Sequence, residues 1–158
     1  MKKFLFGILL ALLLQPGLAY TGDIAIIVYK DNPTTDLSFK DLVKIFEQEE
    51  QYWKDNRKIY LIMQPSGRPE KETVLKKIYN KSNDEELKKF WLGKMFRGEI
   101  TSFPKTLSSN EAVKRFVSQL PDSIGFIDSS FADESVKVLR IDGKLPGEKG
   151  YVLADPDS

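Results

Sequence analysis

Apolar residues along the chain follow two patterns, short continuous runs and positions three or four residues apart. The run at residues 24–29 is rich in β-branched side chains, which predicts a strand covered on both faces. The runs 59–63 and 123–127 predict two further strands, the second with Gly125 inside it. Helical spacing predicts helices at residues 39–47, 69–79, 84–97 and 109–120.

The order of these elements predicts the fold class. A strand, a helix and a second strand in succession are expected to form a parallel pair with a right-handed crossover. Residues 136–141 alternate and predict an edge strand, while residues 151–153 predict a last strand or a docked tail. We therefore expect an α/β protein with a small, mostly parallel sheet flanked by helices, in which residues 20–158 form a single domain.

Capping-box spacings, in which a serine precedes an acidic residue by three positions, mark the expected helix starts. The pairs are Ser38 with Asp41, Ser82 with Glu85, and Ser108 with Glu111. Within the polar segment 48–58, Trp53 is the expected apolar anchor. The register of the third helix places Leu87, Phe90, Trp91 and Met95 inward.

Residues 1–19 have the pattern of a secretory signal peptide. Lysines precede the apolar run 4–14, and small residues follow at Gly17 and Ala19. The run is shorter than the roughly 20 apolar residues that span a membrane, and an uncleaved anchor is the alternative. No cysteine follows that could carry a lipid. We therefore expect cleavage after Ala19 and a location in a bacterial periplasm.

The charge balance argues against a nucleic-acid partner. The chain has 24 Lys plus Arg against 23 Asp plus Glu, and loss of Lys2 and Lys3 with the signal peptide turns the small positive excess into a small negative one. Lysines between residues 71 and 97 alternate with acidic residues at helical spacings, which is typical of solvated helix faces.

The chain contains no histidine and no cysteine. Disulfides, Ser-His-Asp and Cys-His catalysis and nearly every zinc site are therefore excluded. Ser66 has no visible base, because Lys71 lies in a first helical turn, where a charged side chain usually faces solvent. Opposed carboxylates in a deep cleft would be the remaining route to an enzyme. We expect no catalytic residue, no cofactor and no metal.

The turn at residues 64–69 joins the second predicted strand directly to a helix. Such a turn leaves the first backbone N–H groups of the helix without partners at the positive end of the helix dipole, which favours a small oxyanion. Ser66 adds a hydroxyl group, Gly67 permits the bend and Arg68 adds a positive charge. An ordinary helix start explains the same residues, because Pro69 suits the first helical position. Both interpretations stay open on this segment alone.

Four stretches, taken in order, carry a family pattern. They are the strand 24–29 with Asn32-Pro33, Leu37-Ser38 and Ile45-Phe46; Trp53-Lys54-Asp55-Asn56; Ser66-Gly67; and Pro121-Asp122-Ser123-Ile124-Gly125-Phe126. Together they resemble the phosphate-type substrate-binding proteins of ABC importers, which have the type II periplasmic-binding-protein fold. The resemblance covers residues 23–127.

The resemblance implies an oxyanion site on the turn. In that family a Ser-Gly-Thr turn holds phosphate through its backbone and hydroxyl groups, so Ser66 and Gly67 are the implied contacts, with Arg68 beside them. Ligands of open α/β sheets bind beyond the carboxyl ends of the strands. Thr34 and Thr35, in the loop after the first strand, are therefore expected to assist.

The chain also departs from the family. Arg68 stands where the family has a threonine, and Ile62 where an arginine is expected. The family's first lobe would precede the strand 24–29, where this chain has only its predicted signal peptide, so the chain resembles one lobe of a two-lobed clamp. An anion held by one lobe stays solvated on one side, and binding is then weak.

Two functions follow as hypotheses. The first is a periplasmic module that binds phosphate or a similar oxyanion weakly and is related to the substrate-binding proteins of ABC transporters. The second is an interaction or regulatory module that has lost the ligand. It would present an apolar surface to a membrane transporter, to a sensor or to a second copy of itself.

Overall fold

The computed structural model describes residues 22–155, and the predicted signal peptide at residues 1–19 lies outside them. The strands within this range are β1 (Ile24–Tyr29), β2 (Asp36–Leu37), β3 (Tyr60–Met63), β4 (Lys105–Thr106), β5 (Ser123–Asp128), β6 (Val136–Val138) and β7 (Arg140–Ile141). The helices are α1 (Phe39–Phe46), α2 (Pro69–Lys77), α3 (Asp84–Phe96) and α4 (Asn110–Gln119). None of these helices has the length and apolar character needed to cross a bilayer.

The main sheet has the strand order β4-β3-β5-β1-β6. β3 pairs in parallel with β4 and β5, whereas β1 pairs antiparallel with β5 and β6. The α/β class and the small sheet flanked by helices are confirmed, but the sheet is mixed rather than mostly parallel. The expected parallel pair of the first two long strands is wrong, because β5 lies between β1 and β3 and β1 runs opposite to both.

The apolar run of β1 is continuous because each face of the sheet is covered. Ile24, Ile26 and Val28 pack in the larger core cluster, which includes buried residues of α1, α2 and α3. Ala25 and Ile27 face the smaller cluster, to which α4 contributes. The strand therefore buries side chains in both directions, as predicted from its composition.

Gly125 allows α4 to approach the sheet closely. A Cβ at this position would lie 2.9 Å from Val113 Cγ1 and 3.5 Å from both Ile62 Cβ and Val117 Cγ2. Glycine inside a strand often marks such a close approach. The absence of a side chain at Gly125 thus sets the height of α4 above β3 and β5.

Side chains cap three of the helices within residues 22–155. Ser38 caps α1, as predicted. Asn83 rather than Ser82 caps α3, and Ser109 rather than Ser108 caps α4. Each predicted cap lies one residue before the observed one. In both cases two polar residues capable of capping are adjacent, and the capping-box spacing selected the first.

The end of the described chain docks on the sheet instead of adding a strand. Ile24 N donates to Leu153 O at 3.0 Å, and the Tyr151 hydroxyl donates to Ile24 O at 2.7 Å. The segment predicted as one edge strand is divided between β6, in the main sheet, and β7, which pairs with β2 in a separate two-stranded sheet.

Candidate functional site

Polar side chains from the turn after β3, from α2 and from α4 meet at one edge of the main sheet. β3 and β5 end at this edge and β1 begins there, because Ile24 pairs with Asp128. Gln64 Nε2 donates to Asn110 Oδ1 at 2.9 Å, and Asn110 Nδ2 donates to Glu70 Oε1 at 2.7 Å. These hydrogen bonds fix the turn before α2 against the start of α4.

The first turn of α2 has no side-chain cap. Arg68 occupies the N-cap position in an extended conformation, and a guanidinium group has no acceptor with which to cap an N–H. Pro69 has no N–H to donate. The N–H groups of Glu70 and Lys71 donate no hydrogen bond to any residue in the range 22–155. These N–H groups are therefore able to donate hydrogen bonds to an external acceptor group.

The three residues predicted from the turn lie beside these N–H groups. Gly67 has a φ of 83°, in the left-handed region that favours glycine. Ser66 is exposed, and its hydroxyl makes no hydrogen bond to the described part of the chain. Arg68 is half-buried, with Nη2 3.4 Å from Glu70 Oε1. We call Ser66, Gly67, Arg68 and the N–H groups of Glu70 and Lys71 the α2 site.

Charged side chains behind the α2 site are buried rather than solvated. Glu70 is 7% exposed and Lys71 is 6% exposed. Lys71 Nζ donates to Gln64 O at 3.1 Å and pairs with Asp84 Oδ1 at 2.9 Å. The expectation that Lys71 faces solvent is therefore wrong. Burial is tolerated because the ammonium group has an opposite charge and a carbonyl oxygen as partners.

Some oxygen atoms of this buried cluster have no protein partner. They are Gln64 Oε1, Glu70 Oε2 and Asp84 Oδ2, which make no hydrogen bond to residues 22–155. Buried polar atoms of this kind are commonly satisfied by ordered water. The cluster is thus a polar interior at the end of β3.

Thr34 and Thr35 lie at the opposite edge of the sheet. They follow β1, which runs antiparallel to β5 and hence opposite to β3. The structure therefore does not bring them together with Ser66, Gly67 and Arg68, because the expected juxtaposition assumed parallel strands. Both threonines line a separate open groove with a volume of about 700 Å³.

The far wall of this groove is held by structural contacts. Trp53 is buried, as its predicted role as an anchor requires, and its Nε1 donates to Asp122 O at 3.2 Å. Arg57 bonds Asp55 at 2.7 Å and also bonds Asp122. The hydrogen bond from Arg57 holds the pKa of Asp55 below its ordinary value. The side chains of Trp53 and Arg57 therefore hold the turn at residues 52–57 in place.

Ile62 contributes no charge to the α2 site. Its side chain is buried on the α4 face of the sheet, in the cluster that contains Val113 and Val117. An arginine at this position would have to enter that apolar cluster. Arg68, from the N-cap position of α2, is consequently the cation that the turn itself supplies to the site.

Sequence reasoning did not identify Gln64, Glu70 and Asn110 as parts of the site. Gln64 directly follows the apolar run of β3, and a polar residue that continues a buried strand requires a partner. That signal was available for Gln64. Nothing local marks Asn110, which joins Glu70 across 40 positions of the chain.

Three solved structures of substrate-binding proteins superpose on 78% of this chain. A phosphate-bound protein of Clostridium perfringens, assigned to the phosphate ABC transporter substrate-binding proteins, gives a TM-score of 0.64 at 21% identity. An ABC-type phosphate transport receptor of Vibrio cholerae gives 0.63 at 19%, and PstS of Borrelia burgdorferi gives 0.61 at 18%.

This chain folds like one lobe of a periplasmic binding protein. It covers 46%, 48% and 49% of those three chains, so it spans about half of their length. The proteins it resembles are binding proteins by description, and at this level of identity the likeness shows the fold alone. By sequence, no protein family and no curated protein matches the chain.

The binding-protein-like lobe exposes apolar side chains on the outer face of α3. Leu92, Met95 and Phe96 are exposed, and Phe96 reaches 88%. Met95 was expected to face inward, which is wrong. Leu87 and Trp91 are buried as predicted, and Phe90 is partly buried against the same core. Because positions 92, 95 and 96 are neighbours on a helix surface, the three side chains form one apolar patch, which we call the α3 patch.

Proposed function

We propose that the chain is a periplasmic module that binds phosphate or a similar small oxyanion weakly at the α2 site. The observation that carries the proposal is the uncapped start of α2, where the N–H groups of Glu70 and Lys71 have no partner within residues 22–155. Ser66 supplies a hydroxyl and Arg68 a positive charge at the same place. The fold shared with phosphate-binding lobes supports this assignment.

The expected affinity is low. Ser66 and Gly67 are exposed, so water competes for each hydrogen bond to the anion. No second lobe is present in the described chain to close over the ligand. We therefore expect a dissociation constant of about 1 mM, which corresponds to roughly −4 kcal/mol.

Calorimetric titration of the purified protein with phosphate and with sulfate tests the proposal. Arg68→Ala should abolish measurable binding, because it removes the fixed positive charge of the site. Thr34→Ala should leave binding unchanged, because Thr34 lies at the opposite edge of the sheet. An absence of binding heat at millimolar ligand, or equal loss in the two variants, would refute the α2 site as the location.

The proposed location rests on the signal-peptide pattern of residues 1–19. Expression of the full chain in a bacterium should yield a protein that begins at Tyr20 and is released with the periplasmic fraction. Intact-mass measurement of the released protein gives the cleavage site. A full-length chain retained in the cytoplasm would contradict this part of the proposal.

An interaction module that has lost the ligand is the second candidate, and the α3 patch favours it. Its three side chains are exposed side by side, Phe96 to 88%, and contiguous exposed apolar surface is typical of interaction sites. The partner would be a membrane transporter, a sensor or a second copy of the chain. Sedimentation equilibrium of the wild type and of Phe96→Gln tests the last of these, with Phe131→Gln as an exposed control outside the patch. Dimerisation lost only in Phe96→Gln supports a homodimer.

A further inference from the structure

We propose that Glu70 is an internal competitor for the oxyanion at the α2 site. Its carboxylate neutralises the groups that would otherwise bind the ligand. The inference rests on the proposed function, because it explains how strongly the same site binds. It concerns a residue that the turn motif does not include.

The carboxylate of Glu70 is in direct contact with the cation of the site. Glu70 Oε1 lies 3.4 Å from Arg68 Nη2, so the positive charge of Arg68 is already shared with an internal anion. Glu70 is also the second residue of α2, a position at which a carboxylate interacts favourably with the helix dipole. Glu70 therefore offsets two of the attractions that an oxyanion would use.

Glu70 is held in this arrangement. Asn110 Nδ2 donates to Glu70 Oε1 at 2.7 Å, and Asn110 is oriented in turn by Gln64 Nε2 at 2.9 Å. Glu70 is 7% exposed and Asn110 is 2% exposed, so neither side chain can move into solvent without opening the cluster. The internal carboxylate is thus a fixed part of the site rather than a mobile surface charge.

The neighbouring lysine does not compensate for it. Lys71 Nζ pairs with Asp84 Oδ1 at 2.9 Å and donates to Gln64 O, so its charge is already balanced. The two cations and two carboxylates of this cluster therefore cancel. These four side chains therefore give an incoming phosphate no net positive charge to attract it.

Removal of the Glu70 charge should strengthen anion binding. Glu70→Gln keeps the size of the side chain and an oxygen that can accept from Asn110. Glu72→Gln is the matched control, because it removes the same charge from the first turn of α2. Glu72 N donates to Arg68 O at 3.1 Å, but the Glu72 carboxylate forms no ion pair with the Arg68 guanidinium. With inorganic phosphate as the probe, we expect at least fivefold tighter binding for Glu70→Gln and less than twofold change for Glu72→Gln.

A second variant, Glu70→Ala, separates the loss of the carboxylate charge from any effect of the amide introduced in Glu70→Gln. Glu70→Ala removes the same charge and should also tighten phosphate binding, provided that circular dichroism shows a folded protein. If the wild type binds phosphate and neither Glu70 variant binds more tightly than Glu72→Gln, the inference is wrong and the proposed function stands. If the wild type does not bind phosphate and Glu70→Gln does, the proposed function of the wild type is wrong, and the role of Glu70 as an internal competitor is supported. If no variant binds, both are wrong.

Discussion

The helices α2 and α4 begin at the same edge of the main sheet, yet their first turns are built differently. Ser109 caps α4, and its Oγ accepts a hydrogen bond from Ala112 N at 3.1 Å. α2 has Arg68 at the corresponding position and no cap. One helix end is closed by the chain itself, and the other keeps N–H groups without a partner in residues 22–155.

This difference separates a structural helix end from a candidate ligand site. Capping serine is worth about 1 kcal/mol, so an uncapped first turn forgoes a stabilising contact that most helices have. α4 instead contributes Asn110, whose side chain fixes the geometry of its neighbour. The capped start of α4 thus supports the uncapped start of α2.

Loss of Asn110 should have the largest effect on the pair of helices. Asn110→Ala removes hydrogen bonds from Gln64 Nε2 and Asp128 N and the bond to Glu70, all within 3.1 Å. At about 1 kcal/mol for each, the free energy of unfolding should fall by about 3 kcal/mol in urea denaturation. Gln119→Ala, at an exposed position near the end of α4, is the control and should change it by less than about 0.5 kcal/mol. An equal effect of the two would show that the cluster does not couple α2 to α4.

Gly125→Ala should displace α4 from the sheet. The new Cβ would lie 2.9 Å from Val113 Cγ1, which requires the helix to shift. Overpacking of this kind should reduce the free energy of unfolding by about 2 kcal/mol. Gly93→Ala in α3 is the matched control, since its Cβ would meet the flexible end of Arg97, and it should stabilise by up to about 1 kcal/mol. If both substitutions changed the free energy of unfolding in the same direction, the close approach of α4 to the sheet would be contradicted.

Features set by neighbouring residues could be predicted from the sequence, whereas features set by distant pairings could not. The run of β1, the cap of α1 at Ser38 and the turn before α2 depend on residues that are close together in the chain, and each was predicted. The direction of β1 relative to β3 depends on β5, which joins them from far along the sequence. The burial of Glu70 likewise depends on Asn110 in another helix. Local patterns carry no information about such pairings, so the predicted role of Thr34 and Thr35 at the α2 site had no structural basis.

Ser109→Ala should affect the closed end alone. Loss of the cap should lower the free energy of unfolding by about 1 kcal/mol and leave phosphate binding unchanged. Ser108→Ala tests the residue that the capping-box spacing selected, and it should have no measurable effect because Ser109 provides the cap. Equal destabilisation by the two variants in urea denaturation would mean that the cap is shared.

The smallest expected effect concerns a surface contact on the side of α4, away from its first turn. Lys114 pairs with Asp133 at 2.9 Å, and hydrogen bonds from Ser135, followed by that from Lys114, hold the pKa of Asp133 at about 2. A depressed pKa in the folded state contributes stability above the ordinary pKa of 3.8, and this contribution is lost as the pH falls from about 4 towards 2. Asp133→Asn should therefore unfold at a lower urea concentration than the wild type at pH 7, and the gap should narrow as the pH falls from about 4 to 2. Asp31→Asn, at an exposed position without a hydrogen bond to residues 22–155, is the control for the loss of one surface carboxylate. A gap for Asp133→Asn that stays constant with pH would assign its effect to packing rather than to the charge of the carboxylate.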